Sequence, residues 1–477
     1  MSARFAKFIF AIACCAFVGT SSSSVLAQPG GGGGGGGGNQ GGGGNNGFNN
    51  FQTGVVGGVK IDVSGVISSG NRTVDPDLRK LVEKSLQQGD TELTTPADLR
   101  MISLRGLEAA IIRARESGQP LPQEVQYMAG LQRIEYVILA PETNDVIIAG
   151  PGEGWKLDAA GNIVGSKSGS PVIHLEDFLV AMRSVDAART GQGVSVSIDP
   201  TEQGVRQLQQ FYKNMSANNV SFNPGMQPEV EKAMGPNIIT LTGVPADSRF
   251  SQVLVAADYK MKRLSMGLEP APIAGLPSFM EIAAAKNAKL HSSPRFWMEC
   301  SYQPLAKTAD GSVWQIRGSG VRTLTQESHF DGRGKRTTGG KQNRFAVQWA
   351  ELMTEKFEAL AAAEPAFREL RNVMDLSVVA AIIRKENLAA RVGLETPAIL
   401  GVTDIIATPA WSVPKSVPTE CSFVKVTDSW LVSASGGIQL DSWGVVEKTE
   451  TVAQLESLAT KATSNSGDGW WWNASLN

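Results

Sequence analysis

Paired carboxylates are the one kind of catalytic site that this sequence could build without a recognisable motif. Glycoside hydrolysis needs an acid and a carboxylate about 5–9 Å apart across a cleft, and it sets no fixed spacing along the chain. The sequence alone cannot pair its acids, so the catalytic residues stay unassigned. Six of the 46 acidic residues are the candidates: Glu153, Asp158, Asp247, Asp258, Asp404 and Asp428.

The sequence has few histidines and none of the common catalytic or metal-binding motifs named below. The three histidines, His174, His291 and His329, do not lie at the short spacings of a metal motif, and HExxH and CxxC are absent. GxSxG and the P-loop pattern GxxxxGK[ST] are absent as well. The sequence therefore predicts no cofactor and no metal site.

Three consecutive tryptophans near the end of the sequence are a candidate aromatic contact. Trp470, Trp471 and Trp472 follow a stretch rich in Ser, Asn and Gly. Exposed indole rings could stack on sugar rings or on an apolar partner surface. The alternatives are a tail that docks on its own body and a flexible end, and we assign residues 463–477 to a flexible Trp-containing tail.

Met1 to Ala27 has the layout of a cleavable signal peptide. Arg4 and Lys7 precede the apolar run from Phe8 to Gly19, and the small-residue site VLA-Q predicts cleavage between Ala27 and Gln28. The run is shorter than the roughly 20 apolar residues of a transmembrane helix. We therefore expect export to the periplasm or beyond and no membrane span in the mature chain.

Export bears on the cysteines and on the net charge. Cys14 and Cys15 lie within the signal, and the remaining pair, Cys300 and Cys421, is a candidate disulfide in an oxidising compartment. Two buried free thiols are the alternative. Cleavage leaves 42 basic and 46 acidic residues, a net charge of −4. This balance gives no electrostatic reason to expect a nucleic-acid partner.

The chain after the signal divides by composition. Residues 28–54 are rich in Gly and Asn, which predicts a disordered linker. Strand and helix patterns predict an α/β domain over 55–293 and an α+β region over 294–462. The fold class is therefore mixed α/β or α+β, with strand–helix units, β-hairpins, two long helices and a strand-rich C-terminal part.

Two strand–helix units define the middle of the chain. A strand at 194–198 precedes a helix for which Asp199 and Glu202 form a predicted capping box. A second strand at 238–241 precedes a helix that begins near Ser248. The two units are expected to share a sheet. Four charged residues on the second helix or at its start are predicted to be caps and surface charges: Asp247, Arg249, Lys260 and Arg263.

Two further patterns give local predictions. The apolar runs at 134–140 and 146–149 flank Pro141 to Asn144, which predicts a β-hairpin. Gly436 and Gly437 lie between two apolar runs near the C-terminus and are predicted to form a turn.

Four phrases span roughly 125–330: LQRIEYVILAPETNDVIIAGPGEGW, VSVSIDPTEQGVRQLQQF, ITLTGVPADSRFSQVLVAADYKMKRLSMGLEP and VWQIRGSGVRTLTQES. Together they resemble a family of secreted bacterial proteins of the planctomycete type whose function is unknown. The resemblance implies export and a Gly- or Pro-rich leading segment. It implies no activity, so it supplies no catalytic residues.

Two functional hypotheses follow. The first is a non-catalytic exported protein that binds an envelope protein or a glycan, or has a structural role at the envelope. The second is a secreted hydrolase that acts on polysaccharide or peptide through paired carboxylates.

Overall fold

A computed structural model describes most of the chain after residue 90. The described residues are 91–191, 193–286, 293–331, 333, 335–339, 342–401, 411–426, 429–431, 435–464 and 469–475, with short strands at 55–56, 59–61 and 67–69. The predicted signal peptide and the predicted linker lie outside them, as do Asp404, Asp428 and His291.

The described part contains 21 strands and 14 helices, so the predicted mixed α/β fold is confirmed. The strands are β1 (Val55–Val56), β2 (Val59–Ile61), β3 (Ile67–Ser69), β4 (Ala97–Ser103), β5 (Tyr136–Ala140), β6 (Asp145–Gly152), β7 (Trp155–Leu157), β8 (Ile163–Gly165), β9 (Val194–Pro200), β10 (Asn237–Thr242), β11 (Ser293–Ser301), β12 (Leu305–Lys307), β13 (Val313–Gln315), β14 (Gly320–Phe330), β15 (Arg336–Thr338), β16 (Ser416–Val417), β17 (Val424–Val426), β18 (Ser429–Leu431), β19 (Ser435–Leu440), β20 (Thr449–Thr451) and β21 (Trp471–Ala474). The helices are α1 (Thr91–Thr94), α2 (Leu104–Glu116), α3 (Gln123–Gln126), α4 (Leu175–Thr190), α5 (Glu202–Ala217), α6 (Gln227–Met234), α7 (Arg249–Met266), α8 (Phe279–Ala285), α9 (Arg344–Glu355), α10 (Phe357–Ala363), α11 (Pro365–Lys385), α12 (Leu388–Arg391), α13 (Ser442–Val446) and α14 (Glu456–Ser464).

Two seven-stranded sheets organise the fold. The first, called the central sheet below, has the order β15-β14-β11-β19-β9-β10-β16, and only its β11–β19 pair is parallel. The second sheet has the order β20-β12-β13-β5-β6-β4-β21, and only β12–β20 is parallel. Both sheets contain strands from before and after residue 293, so the predicted boundary at 293/294 divides both of them.

The two predicted strand–helix units are confirmed as β9–α5 and β10–α7, and they share the central sheet. Their strands are direct antiparallel neighbours, with Ile239 opposite Ile198. The predicted hairpin is confirmed as β5–β6, which a short 3₁₀ turn at Pro141–Thr143 connects.

Helix α7 lies in the middle of the main hydrophobic core. It packs on β9 and β19 and against α4, α8 and α11. Its apolar residues occur around the whole helix circumference, which is the pattern of a helix covered on every side. Even its charged residues Arg249, Asp258 and Lys260 are less than one-tenth exposed. The prediction that Arg249 and Lys260 are surface charges was therefore wrong.

Asp199 and the glycine pair also differ from the sequence-based expectation. Strand β9 continues through Pro200, and it is the Thr201 side chain that caps α5 by accepting a hydrogen bond from the Gly204 N–H. Asp199 is therefore a buried strand residue and not a cap. Gly436 and Gly437 lie within β19 of the central sheet and do not form a turn.

Among the described helices, none is both long and apolar enough to cross a membrane.

Candidate functional site

The carboxylate of Glu153 is engaged in hydrogen bonds to a neighbouring loop. It accepts hydrogen bonds from the backbone N–H groups of Lys167 and Ser168 (3.1 and 3.0 Å) and from the Gln132 side chain (2.6 Å). Burial raises the pKa of Glu153, but these hydrogen bonds outweigh that effect and lower it overall. The carboxylate therefore fixes the loop that follows β8.

The other described candidates have separate environments. Asp158 accepts hydrogen bonds from the N–H groups of Ala160 and Asn162 in the β7–β8 turn, and Asp247 is exposed. Asp258 is fully buried and accepts from Lys262 Nζ at 2.7 Å. Burial raises its pKa to about 7, although the Lys262 ammonium acts in the opposite direction. Among the described residues, no hydrogen bond connects any two of these four carboxyl groups.

The tryptophans belong to the second sheet. Trp471 and Trp472 lie on β21, which pairs with β4, and Trp470 and Trp472 are 7% and 9% exposed. The guanidinium carbon of Arg100 lies 5.2 Å from the Trp471 ring centroid. Over residues 469–475 the predicted flexible tail is therefore corrected to a docked strand, which was the alternative reading of this segment.

The structure does not form the predicted disulfide. Cys300 and Cys421 are both free thiols. Cys300 is half-buried on β11, whereas Cys421 is buried in a small cluster that packs around α5 and α6, with its Sγ 3.9 Å from Met234 Sδ. Burial raises the pKa of both thiols.

We expect both cysteines to react slowly with a thiol reagent in the native protein and completely after unfolding. The reason is that the thiolate is the reactive form and burial disfavours it. Differential alkylation without reductant, followed by mass mapping of the two cysteine-containing peptides, measures this. A Cys300–Cys421 crosslinked peptide would contradict the structure.

Arg249 is the centre of a buried ion-pair network. Its guanidinium donates hydrogen bonds to Asp177 on α4 and to Glu369 on α11, the second at 2.6 Å. His174 lies beside this network, and burial together with the positive charge of Arg249 lowers its pKa to about 3. The neutral histidine and the paired charges make this network a structural connection between three helices.

A second ion-pair network holds the loop that follows α7. Glu269 accepts hydrogen bonds from Lys260 Nζ at 3.0 Å and from Arg263 Nε at 2.9 Å. Lys260 also pairs with Glu364, and Arg263 donates to both carboxylate oxygens of Glu420. These contacts fix the backbone of residues 267–278 against the last turns of α7.

The fixed loop forms a groove of about 480 Å³, called the loop groove below. This volume is in the range of small-molecule and peptide sites. Among the described residues that line it, only Glu269 and Glu281 are titratable. Glu281 is engaged in the capping box of α8, where it accepts hydrogen bonds from the Ser278 N–H and hydroxyl. The lining residues are Gly267, Glu269, Pro270, Ala271, Ile273, Gly275, Leu276, Pro277, Ser278 and Glu281.

A smaller cavity of about 40 Å³ lies at the ends of β9 and β19, and we call it the strand-end cleft. Met266 lines the cleft, and the next residue, Gly267, lines the loop groove. Its lining residues are Ile198, Pro200, Met234, Asn237, Tyr259, Lys262, Arg263, Met266, Val417, Pro418, Glu420 and Ser435.

Sequence reasoning missed Glu269 and Glu420. The one local signal was the loop sequence GLEPAPIAGLPS, whose closely spaced prolines after a long helix indicate a rigid loop. Glu420 and Ser435 are more than 150 residues away from Arg263 in the sequence, so only the fold brings them to the site. Within the described residues, no group of three or more His, Cys, Asp and Glu side chains is placed to hold a metal ion.

Comparisons with known proteins place a family match on this region. The searches of curated proteins and of solved structures find no significant match. The matched segment begins within β9 and contains α5, α6, β10, α7 and the loop that forms the groove. Residues 196–279 are similar to a family described as a protein of unknown function (DUF1598).

Proposed function

We propose that this is an exported, non-catalytic binding protein whose loop groove holds an apolar segment of a partner polypeptide. The observation that supports it best is that both acidic residues of the groove are already hydrogen-bonded within the protein. The groove has the volume of a ligand site, yet its two titratable residues, Glu269 and Glu281, already bind neighbouring side chains and backbone. Its described lining therefore offers binding surface without an unengaged carboxylate.

The lining favours a polypeptide over a glycan. Half of the lining residues are apolar, namely Pro270, Ala271, Ile273, Leu276 and Pro277. Sugar hydroxyls lose hydrogen bonds to water in such a groove, which costs free energy unless new partners replace them. Aliphatic side chains gain from the same surface, at about 25 cal/mol per Å² of apolar area buried.

Export remains part of the proposal and rests on the signal-like segment at residues 1–27. The partner is then a protein of the envelope or the medium. The predicted linker at 28–54 would give the folded part a long reach towards such a partner.

A matched pair of variants tests the binding site. Ile273 lines the groove, whereas its neighbour Ala274 is exposed and does not. We expect Ile273→Asp to weaken binding of Leu-, Ile- and Pro-rich synthetic decapeptides at least about tenfold, because an apolar side chain contributes about 1.5–3 kcal/mol when buried. Ala274→Asp adds the same charge one residue away and should leave the affinity unchanged.

The measurement is biolayer interferometry on the full chain, with thermal unfolding of both variants as a check on folding. Binding of oligosaccharides but of no peptide would contradict the proposal. So would turnover of a polysaccharide or peptide panel that Glu269→Gln or Glu281→Gln abolishes, since that result would establish the hydrolase hypothesis.

A further inference from the structure

Helix α7 completes the hydrogen bonding of strand β9 at the point where the pairing of β9 with β19 ends. The β9–β19 ladder stops at Ser197, which lies opposite Gly437. The next residue, Ile198, donates its backbone N–H to Asp258 Oδ2 at 3.1 Å, and its carbonyl accepts a hydrogen bond from Lys262 Nζ at 2.8 Å. Two side chains one helical turn apart on α7 therefore replace a strand neighbour, and we call Asp258 and Lys262 the Ile198 clasp.

The Ile198 clasp is buried and contains an ion pair. Asp258 is 0% exposed, and its Oδ2 accepts a second hydrogen bond from Lys262 Nζ at 2.7 Å. Its other oxygen, Oδ1, is buried as well and has no hydrogen-bond partner among the described residues. A buried carboxylate with one bare oxygen loses hydration that a neutral carboxyl group needs less, so this place favours the protonated form.

Two charged neighbours act on Asp258 in opposite directions. The ammonium group of Lys262 favours the ionised form, whereas the negative charge of Asp199 on β9 favours the protonated form. Asp199 is itself only 2% exposed, and it interacts with Lys262, with Arg336 on β15 and with the Ser197 side chain. Lys262 is therefore the cation that acts on both buried carboxyl groups.

The other elements that pack against α7 have charged groups with partners of their own. Asp177 on α4 and Glu369 on α11 bind Arg249, which lies at the opposite end of α7 from Lys262. Glu281 on α8 belongs to the capping box of that helix, and β19 has no titratable residue. The protonation of the Ile198 clasp therefore depends mainly on the clasp itself and on its neighbour on β9.

The proton equilibrium of the clasp falls in the neutral range. Burial raises the pKa of Asp258 from its ordinary value of 3.8 to about 7, although Lys262 and the Ile198 N–H oppose this shift. Protons can reach the clasp along water, because Ile198 and Lys262 line the strand-end cleft. The cleft volume of about 40 Å³ is enough for a few water molecules.

We propose that the Ile198 clasp is a proton-sensitive lock between β9 and α7, in which Asp258 is protonated in a mildly acidic medium and ionised in an alkaline one. Between about pH 4 and about pH 7 the folded state binds a proton here that the unfolded state has released. The free energy of unfolding therefore falls as the pH rises through this window and levels off above it. Export, as proposed above, would expose the lock to the pH of the surroundings.

Infrared spectroscopy of the full chain in D₂O detects the proton directly. A protonated carboxyl group has a C=O stretching band that a carboxylate lacks. We expect Asp258→Asn to remove part of this band at mildly acidic pD. The control Asp186→Asn makes the same change at an exposed carboxylate paired with Arg384, and it should leave the band unchanged. A band that Asp258→Asn does not reduce would contradict the lock.

Two further variants should shift the midpoint of this titration in opposite directions. Lys262→Met removes the cation that favours the ionised form, so the midpoint should rise by at least about one pH unit. Asp199→Asn removes the opposing negative charge, so the midpoint should fall. Both are compared with the unmodified protein, so they test the lock even where Asp258→Asn does not fold. Shifts of the same sign would overturn the proposal.

Urea unfolding between pH 5 and pH 8 measures the effect on stability. The folding equilibrium constant of the unmodified protein should fall at least about tenfold more over this range than that of Asp258→Asn, because only the unmodified protein releases this proton. Asp186→Asn should follow the unmodified protein. An equal pH dependence of the unmodified protein and Asp258→Asn would refute the lock, whatever the affinity of the loop groove for peptides.

Discussion

Replacing Arg249 by methionine is expected to lower the free energy of unfolding by about 3–5 kcal/mol, the usual cost of breaking a buried ion pair by removing one partner. Arg249 connects α7 to Asp177 on α4 and to Glu369 on α11. All three side chains are less than one-tenth exposed. Methionine fills much of the volume but leaves two buried carboxylates without a cation.

The pH dependence of this loss shows whether it comes from the two carboxylates that Arg249 neutralises. Burial already raises the pKa of Asp177 and Glu369, and the Arg249 charge opposes that shift. Without Arg249 both pKa values in the folded state rise further above their unfolded values. The variant therefore regains stability as the pH falls from 7 towards 5, because its folded state then binds more protons than its unfolded state.

Urea unfolding at pH 7 and pH 5 measures both effects. The control is Arg206→Met, which removes the exposed pair with Glu202 on α5 and an exposed hydrogen bond to the Arg333 carbonyl. Such a surface pair contributes about 0–1 kcal/mol, so the control should remain close to the parent protein. A loss below about 1 kcal/mol for Arg249→Met would refute the structural role of this network.

Replacing Gly436 by alanine is expected to prevent the central sheet from forming. A Cβ atom at this position would lie 1.4 Å from the Phe296 carbonyl oxygen on the paired strand β11, and the residue has φ +149°. Neither backbone can move without breaking the parallel β11–β19 pair. We expect a loss of more than about 4 kcal/mol, among the largest effects of single substitutions.

A second glycine separates the steric effect from the backbone effect. Gly118 has φ +64° after α2, but a Cβ atom there would have no neighbour within 4 Å. Gly118→Ala should therefore cost only about 1–2 kcal/mol, the strain of the left-handed conformation. Soluble yield and urea unfolding compare the two, and equal losses would contradict the close approach of β19 and β11.

Local patterns predicted those elements that depend on local sequence. The β5–β6 hairpin and the β9–α5 and β10–α7 units follow from apolar alternation, helical spacing and turn residues. Asp199 was assigned to a cap because Asp and Thr can both cap a helix, and the structure selects Thr201 two residues later. This small shift converts a predicted cap into a buried carboxylate at the end of β9.

The remaining features depend on long-range packing, which the sequence does not show. The polar residues of α7 have the sequence pattern of an exposed face, and only the positions of α4 and α11 show that Arg249 is covered. The glycine pair at 436–437 is compatible with a turn and with a close approach of strands, because both situations need a residue without a side chain. Groove and cleft depend on contacts over more than 150 residues, such as Arg263 with Glu420.

Hydrogen–deuterium exchange with and without a bound apolar peptide tests the central claim most directly. It reports backbone protection along the whole chain and does not depend on any substitution. A ligand in the loop groove should slow exchange at residues 267–281 and at the adjoining 416–420, and leave β21 unchanged. Protection at other elements, with no change at 267–281, would contradict the assignment of the groove as the binding site.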